Sequence, residues 1–411
     1  MDHVVIVGAG QAGVQVADSL RNRGFAGDLS VIGDEPVLPY QRPPLSKDYM
    51  AADGDPGALP LRAERFFTEQ RIDLRTGVRV TAIDRGRQTV TLERGERLCY
   101  SALVLATGAA NRALPVPGAD LAGVHVLRTL ADAEHLRAAL ATARSAVVVG
   151  AGFIGLEFAA VARKRGVEVT VLEAAERPMA RALSPAMSRH LGGAHRGMGT
   201  DLRLGEGLTA FRGIGGTVVA AVGTSGQEYP ADLVVVGVGV CPRDELARAA
   251  GLAVDDGIVV DERLRTTDPN VYAVGDCASA PGAVPGTRLR LESVQNATDQ
   301  GRRVADALVD GTVGAAEVPW FWSTQGPLRL QIAGLGRPDD DAVVSGDVAG
   351  GRFSVFCFRG ERLVAVESLN RPADHLAARR VLASGAHPTP VQVTDPRFSL
   401  KDHAKQFAVA S

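Results

Sequence analysis

Cysteine is scarce in this chain of 411 residues, and the four present, Cys99, Cys241, Cys277 and Cys357, are widely spaced. No Cys-x-x-Cys pair occurs, which excludes a thioredoxin-like redox pair and an iron–sulfur or zinc site of ordinary spacing. Isolated thiols in a chain this long fit a reducing compartment. Histidine supplies no metal set either. His190 and His195 have no third histidine or carboxylate cluster nearby, so both are expected to be solvated surface residues and no metal is expected. Long apolar runs are missing too: none approaches the ~18 residues of a membrane span. The sequence opens on a strand with no basic-then-apolar leader, so a cytoplasmic location without a membrane partner is the expectation. Only four lysines accompany the arginines and the net charge is −2, which gives no reason to expect nucleic acid as a partner. Aromatic residues are few, and both tryptophans, Trp320 and Trp322, fall within three positions.

The remaining composition, 45% hydrophobic and 22% charged, is that of a globular protein long enough for two or three domains. Two stretches organise it. Val4 to Gly13 (VVIVGAGQAG) and Val147 to Gly155 (VVVGAGFIG) are β-branched runs that each end in Gly-x-Gly-x-x-Gly. A buried parallel strand has this composition. The first glycine (Gly8, Gly150) permits the turn and the second (Gly10, Gly152) lets a pyrophosphate approach the backbone. The third (Gly13, Gly155) lets the next helix pack close. The phosphates then meet unpaired amides at the positive helix end. Each copy continues into an amphipathic helix and a second strand, Leu29–Ile32 in one and Val167–Leu172 in the other. Each second strand closes on acidic residues, Asp34-Glu35 and Glu173, about 20 positions past the glycines, where a ribose hydroxyl is held. The chain thus carries two dinucleotide fingerprints, an internal duplication.

Between the copies lies a proline-rich loop, Pro36 to Lys47, which reads either as a surface linker or as a functional loop bearing Arg42, Ser46 and Lys47. A helix is expected to open at Leu45–Lys47 with Ser46 as its cap. Short strands follow at 78–80, 89–92 and 102–105, the last ending in Ala106-Thr107-Gly108. A helix is expected at 131–143, capped by Thr129 or Asp132. The second copy continues with strands at 202–204, 218–222 and 233–238, and the glycine-rich stretch 191–199 reads as a loose helix end. The strand Val271 to Val274 runs into Gly275-Asp276-Cys277, and Asp276 is either a ligand-facing carboxylate or a plain turn residue. Glu292 to Ala297 reads as a helix start. From Pro319 onward, strands near 329–333, 353–358 and 363–366 and a helix at 372–384 describe a small α+β domain, with packing or dimerisation as its plainest role.

In this order the segments VVIVGAGQAG, VIGDE, PYQRPPLSK, LVLATGA, VVVGAGFIGLE, VYAVGDCA, ESVQNA and PWFWSTQ resemble the FAD-dependent ferredoxin reductases of bacterial oxygenase systems, the putidaredoxin and rhodocoxin reductase group. The resemblance spans nearly the whole chain. It implies an α/β fold of two Rossmann-like dinucleotide-binding domains plus a small C-terminal α+β domain. The FAD domain would comprise 1–112 and 244–318, the NAD(H) domain 113–243, and the C-terminal domain 319–411. It implies that FAD rests on Gly8, Gly10, Ala12 and Gly13, with Asp34 at the adenosine ribose and Val80 at the adenine. Arg42, Lys47, Ala106, Thr107, Gly108 and Arg128 would line its path, and Gly275, Asp276, Glu292 and Val294 the flavin end. Val294 would offer its amide to the flavin's pyrimidine edge, where a helix's positive end steadies the charge of the reduced ring. NADH would lie on Gly150, Gly152, Phe153, Ile154, Gly155, Glu157 and Glu173. Lys47 and Glu157 would form an internal ion pair that shapes the nicotinamide site, and Trp322 would stand by the flavin unless it is only an aromatic clamp. Glu173 favours NADH over NADPH, although Arg177 four residues on offers a cation to a phosphate.

The implied activity is an oxidoreductase one: hydride transfer from NADH to FAD, then single electrons to a 2Fe–2S ferredoxin serving a haem-thiolate monooxygenase or ring-hydroxylating dioxygenase. A monomer or weak dimer is expected. Arg302 and Arg303 are candidates for docking an acidic ferredoxin, or form a solvated helix face. Where many of these reductases carry Trp-Ser-Asp-Gln, this chain has Thr324 in place of the acid. Two alternatives remain. A pyridine nucleotide–disulfide reductase or NADH oxidase needs a reactive cysteine after the first βαβ unit, yet residues 1–98 contain none. A flavin-bearing interaction protein of the apoptosis-inducing-factor type would carry long insertions or basic tails, and neither is seen.

Overall fold

The structure, a computed structural model, describes residues 1–51, 59–282, 284 and 286–407. The chain divides into two compact units, one of residues 1–41, 58–110 and 240–317, the other of 42–57, 111–239 and 318–411. The last four residues of the expected C-terminal domain, 408–411, lie outside the described residues.

The first unit is built on a parallel sheet in the order Asp73–Arg75, Asp28–Ile32, His3–Val7, Ala102–Leu105, Val271–Ala273. Val4, Val5, Ile6, Leu103, Val104 and Leu105 are wholly buried, as an apolar run covered on both faces must be. Helix Gln11–Asn22 lays Val14, Val16, Ala17 and Leu20 on this core, a 3.6-residue stripe, and ends at Gly24 with φ +80°. Helix Val294–Val309 packs beside it so closely that a Cβ on Gly301 would stand 2.9 Å from the Gln15 side chain. A three-stranded antiparallel sheet, Val80–Asp84, Thr89–Leu92 and Arg97–Cys99, forms the excursion before the fourth strand.

The second unit repeats the plan: Asp201–Leu204, Glu168–Glu173, Ser145–Val149, Leu233–Val236, Val124–His125, all parallel. Its antiparallel excursion, Leu208–Ile214, Thr217–Gly223 and Glu228–Pro230, occupies the matching place. One difference marks the duplication. The outer strand Val124–His125 comes from chain before the central strand, whereas Val271–Ala273 comes from the returning chain. The same unit holds an antiparallel sheet in the order Trp320–Gln325, Leu328–Gly334, Arg362–Leu369, Arg352–Arg359, Asp341–Asp347. Phe356, Phe358, Leu363 and Val366 meet Ala377, Ala378 and Val381 of helix Pro372–Ser384 in a separate core.

Three local expectations are corrected. The stretch 191–199 is no loose end: helix Pro185–Gly197 runs through it, capped by Ser184 Oγ accepting from Met187 N at 3.3 Å. Its glycines do not interrupt it: a Cβ on Gly192 would make only ordinary contacts, 3.5 Å from Pro178 and 3.6 Å from Leu202, and one on Gly193 or Gly197 would meet nothing within 4 Å. His195 of this helix is 0% exposed, and His190 is partly buried with its ring 4.8 Å from that of Phe353. Neither is a solvated surface histidine, and burial lowers the pKa of both. Ser46 caps no helix; it ends a short 3-10 turn, Pro43–Ser46, and its hydroxyl is used elsewhere.

Candidate functional site

Both glycine turns sit at the carboxyl end of a central parallel strand, where such sheets bind ligands. Gly8 and Gly150 take φ +117° and +100°, and a Cβ on either would strike a neighbouring backbone carbonyl, Ala106 O at 2.1 Å and Gly237 O at 2.5 Å. Gly13 and Gly155 turn their hydrogens onto Gly8 O and Gly150 O, at 1.9 and 2.2 Å from an ideal Cβ. The middle glycines behave differently. A Cβ on Gly10 would meet nothing within 4 Å, and on Gly152 only Gly237 O at 3.9 Å. These two are the N-caps of helices Gln11–Asn22 and Phe153–Lys164, and neither helix has a side-chain cap. A helix start without a side-chain cap, beside a glycine whose Cβ position is open, is what a diphosphate requires, so the residues fit a dinucleotide at each turn.

Two of the residues expected at the first turn lie against it, Ala106 and Gly275. Ala106 lies under Gly8, and Gly275 meets Ala12 and Ala297, its ideal Cβ 3.0 and 3.8 Å from theirs. Gly275 N donates to Gln300 Oε1 at 2.7 Å, which ties this glycine to helix Val294–Val309. Thr107 Oγ donates to Arg243 O at 2.6 Å and Gly108 O accepts from Arg243 N at 2.9 Å. Asp276 is partly buried, and its carbonyl accepts from Arg290, which also pairs with exposed Glu292 at 2.7 Å. The helix begins at Val294, capped by Ser293, so Glu292 lies just outside it. Asp34 is held by Arg79 at 3.4 Å and Arg243 at 3.2 Å. Val80 is 8% exposed and belongs to the core of its unit. Cys277, next to Asp276, is buried; its Sγ lies 3.3 Å from Val274 O, and burial raises its pKa, so it is no nucleophilic thiolate.

In the second unit Glu173 ends its strand and accepts from Ala151 N at 2.7 Å and Ala175 N at 2.9 Å. Arg177 is committed elsewhere: its guanidinium donates to Leu183 O and Ala180 O, both at 2.8 Å, and holds the loop after Glu173. Ile154 is 42% exposed, and Phe153 packs its ring 4.6 Å from that of Phe321. Arg42 donates to Arg128 O at 2.6 Å.

Lys47 and Glu157, 110 residues apart, meet at 2.7 Å with side chains 15% and 1% exposed. Ser46 Oγ donates to the same Glu157 oxygen at 2.5 Å, and Ser323 Oγ to the other at 2.7 Å. A buried carboxylate needs such partners, and here a cation and two hydroxyls supply them. Ser323 and Gln325 alternate on one face of strand Trp320–Gln325, while Trp320, Trp322 and Thr324 take the other. Trp320 and Trp322 meet at 5.4 Å with their planes tilted by 37°, and Arg379 lies over Trp320 at 4.8 Å. Trp322, partly buried, packs its ring against those of Trp320 and Phe321. Sequence reasoning gives Ser323 and Gln325 no role and expects His195 at the surface; the polar alternation Ser-x-Gln in an aromatic strand is the available signal. Arg303 is not a free docking cation: it donates to Glu262 O at 2.8 Å and its side chain is 14% exposed. Arg302 is half-exposed and 3.6 Å from Glu317. Among the described residues no group of three His, Cys, Asp or Glu side chains can hold a metal, and no helix is long and apolar enough to cross a membrane.

Two uncapped glycine cradles on duplicated parallel sheets define a protein that binds two dinucleotides. The chain belongs to the pyridine nucleotide-disulphide oxidoreductase family, whose profile matches residues 2–301, and a reductase C-terminal profile matches residues 320–404. It is 51% identical over 400 residues to rhodocoxin reductase of Rhodococcus erythropolis, covering 97% of this chain and 93% of that protein. The crystal structure of the ferredoxin reductase for the CYP199A2 system of Rhodopseudomonas palustris superposes with a TM-score of 0.95 at 47% identity, covering 98% of this chain and 100% of the other. The covalent putidaredoxin reductase–putidaredoxin complex contains a chain that superposes with a TM-score of 0.96 at 40% identity, covering 100% and 99%.

Proposed function

We propose that this protein is an FAD-dependent ferredoxin–NAD(+) reductase of a bacterial oxygenase system. The carrying observation is a pair of open, uncapped cradles in one chain whose full length matches reductases named for ferredoxin-type partners. Held on Gly8, Gly10, Ala12 and Gly13, FAD would supply the exchange between a two-electron hydride from NADH and single electrons for a 2Fe–2S ferredoxin. The ferredoxin in turn serves a haem-thiolate monooxygenase or a ring-hydroxylating dioxygenase.

We assign FAD to Gly8, Gly10, Ala12 and Gly13, with Asp34, Asp276 and Val294 along its length, and NADH to Gly150 through Gly155 and Glu173. Helix Val294–Val309 contributes the partial positive charge of its first turn toward developing negative charge. Glu173 offers its carboxylate to ribose hydroxyls and repels a 2′-phosphate, and Arg177, spent on two carbonyls, cannot offset that repulsion. Lys47, Glu157 and Trp322 are assigned to the hydride-transfer step. The first two orient rather than exchange protons, because hydride transfer needs alignment to about 3–3.5 Å more than it needs a base. Arg302 remains the candidate docking cation. We also propose the three-domain division 1–112 with 244–318, 113–243, and 319–411.

The disulfide-reductase alternative finds no support in the thiols, since all four cysteines are unbridged and Cys277 is buried. The test is steady-state reduction of cytochrome c by NADH with and without a 2Fe–2S ferredoxin from the same genome. The proposal expects a rate that rises with ferredoxin concentration; a rate indifferent to every ferredoxin contradicts it.

A further inference from the structure

Glu157 ends a chain of hydrogen bonds whose donors all point toward it. The chain starts at His195, wholly buried in helix Pro185–Gly197, whose Nε2 is 2.8 Å from Gln325 Oε1. An amide oxygen only accepts, so Nε2 carries the hydrogen and the ring is the neutral Nε2–H tautomer. Its Nδ1 is buried and has no partner, as fits a bare lone pair rather than an N–H. Gln325 Nε2 donates onward to Ser323 Oγ at 3.1 Å, with Met179 Sδ a weaker acceptor at 3.8 Å. Ser323 then donates to Glu157 Oε1 at 2.7 Å, while Lys47 and Ser46 close on Oε2.

A serine hydroxyl can turn either way; Glu157 Oε1, which only accepts, draws its proton, and the amide hydrogen arriving from Gln325 keeps that proton from turning back. That N–H occupies a lone pair of Ser323 Oγ and leaves its proton for the carboxylate. We propose that Gln325 is a positioning residue for hydride transfer: it aims the Ser323 hydroxyl at Glu157 and so holds Glu157 and Lys47 in one arrangement. This rests on the assignment of Lys47 and Glu157 to that step. His195 fixes the amide in turn, since its N–H can be met only by the amide oxygen.

Gln325→Glu keeps size and shape but makes the donor conditional. While protonated, the introduced carboxyl accepts from His195 and donates to Ser323, as the amide does. Once ionised, it only accepts, draws the Ser323 proton to itself and strips Glu157 Oε1 of its donor. The titratable groups along this chain are His195 from its helix and, through Ser323, Glu157 and Lys47; Met179 does not titrate. Burial and the negative charge of Glu157 both raise the pKa of a carboxyl placed there.

The test measures the limiting rate of flavin reduction by NADH across about pH 5.5–8 in wild type, Gln325→Glu, Gln325→Met and Glu157→Gln. Gln325→Glu should match wild type at the acid end and fall about tenfold at the alkaline end, because misalignment by a fraction of an ångström acts on rate. Its NADH dissociation constant should move less than about twofold. Gln325→Met should be slow throughout. Independently of turnover, ¹⁵N NMR of the wild-type FAD-free chain should show His195 neutral and protonated at Nε2 over the whole range. A Gln325→Glu profile parallel to wild type, or a His195 that titrates or carries its proton on Nδ1, overturns the proposal. If Glu157→Gln leaves the limiting rate untouched, the underlying assignment fails instead.

Discussion

Alanine at Gly10 should separate the cradle from the fold, because the two demands fall on different glycines. At Gly8 and Gly13 an added Cβ lands 2.1 and 1.9 Å from carbonyl oxygens, so alanine there must push the helix off its strand. At Gly10 the backbone is extended, φ −84° and ψ −166°, and no atom lies within 4 Å. The FAD-free protein should therefore tolerate Gly10→Ala with a change under about 1 kcal/mol, the unfolded-state gain of ~0.4–1 kcal/mol opposing the poorer N-cap. A bound diphosphate would not tolerate it. The methyl fills the space in front of the first-turn N–H groups, and losing one hydrogen bond to a charged group costs about 1.5–3 kcal/mol. At 1.4 kcal/mol per decade, that weakens FAD between about tenfold and 150-fold. Titrating the FAD-free chain by flavin fluorescence quenching, beside its melting temperature, reads both quantities. Gly152→Ala should do the same to NADH while leaving FAD in place. The reasoning is refuted if Gly10→Ala holds FAD as tightly as wild type, or if it loses FAD only because the FAD-free chain already melts early.

Stability should depend on pH through Glu367, which is 2% exposed and accepts from Ser184 N at 2.7 Å and Ser184 Oγ at 2.6 Å. Burial pushes this carboxyl from the usual 4.5 up to about 7. Its folded pKa exceeds its unfolded one, so its contribution is complete below 4.5 and fades as pH rises through about 7, by roughly 3 kcal/mol in all. Glu367→Gln should flatten that limb in urea denaturation at pH 5, 7 and 8.5; parallel profiles would contradict it. Alkylation with iodoacetamide should reach exposed Cys99 first and spare buried Cys277 and Cys357 without slowing ferredoxin reduction, whereas inactivation would point to a thiol relay. Arg177→Ala should loosen the loop to Ser184, visible in limited proteolysis, and leave the NADH-to-NADPH ratio of kcat/KM unchanged. A shift in that ratio would mean that Arg177 reads a 2′-phosphate.

What could be read in advance follows from how local the signal is. The two glycine turns are local, because each glycine answers to atoms a few residues away or to the ligand itself, and both lie as the spacing implies. Helix Pro372–Ser384 was equally plain, with Pro372 in its first turn and Gly385 at φ +72° past its end. Strands Leu208–Ile214 and Asp341–Asp347 are not legible in the sequence, because glycine and charge interrupt their alternation and neighbouring strands supply what their own residues do not. His195 looked like surface because its helix is rich in glycine and arginine. Its ring instead meets Gln325, 130 residues away, and no window of sequence contains both. The same holds for Lys47 and Glu157, paired in advance only through a family resemblance. Residue type alone makes Ser46 a cap candidate, yet a buried carboxylate 111 residues on competes for its hydroxyl and wins it.

The most direct measurement counts electrons. The purified protein, loaded with FAD under anaerobic conditions, is titrated with NADH and then with an oxidised 2Fe–2S ferredoxin while the visible spectrum is followed. One equivalent of NADH should bleach the flavin, and two equivalents of ferredoxin should restore its colour, with no cysteine consumed. A flavin that NADH does not bleach, or one that discharges to a disulfide and never to a ferredoxin, would contradict the account.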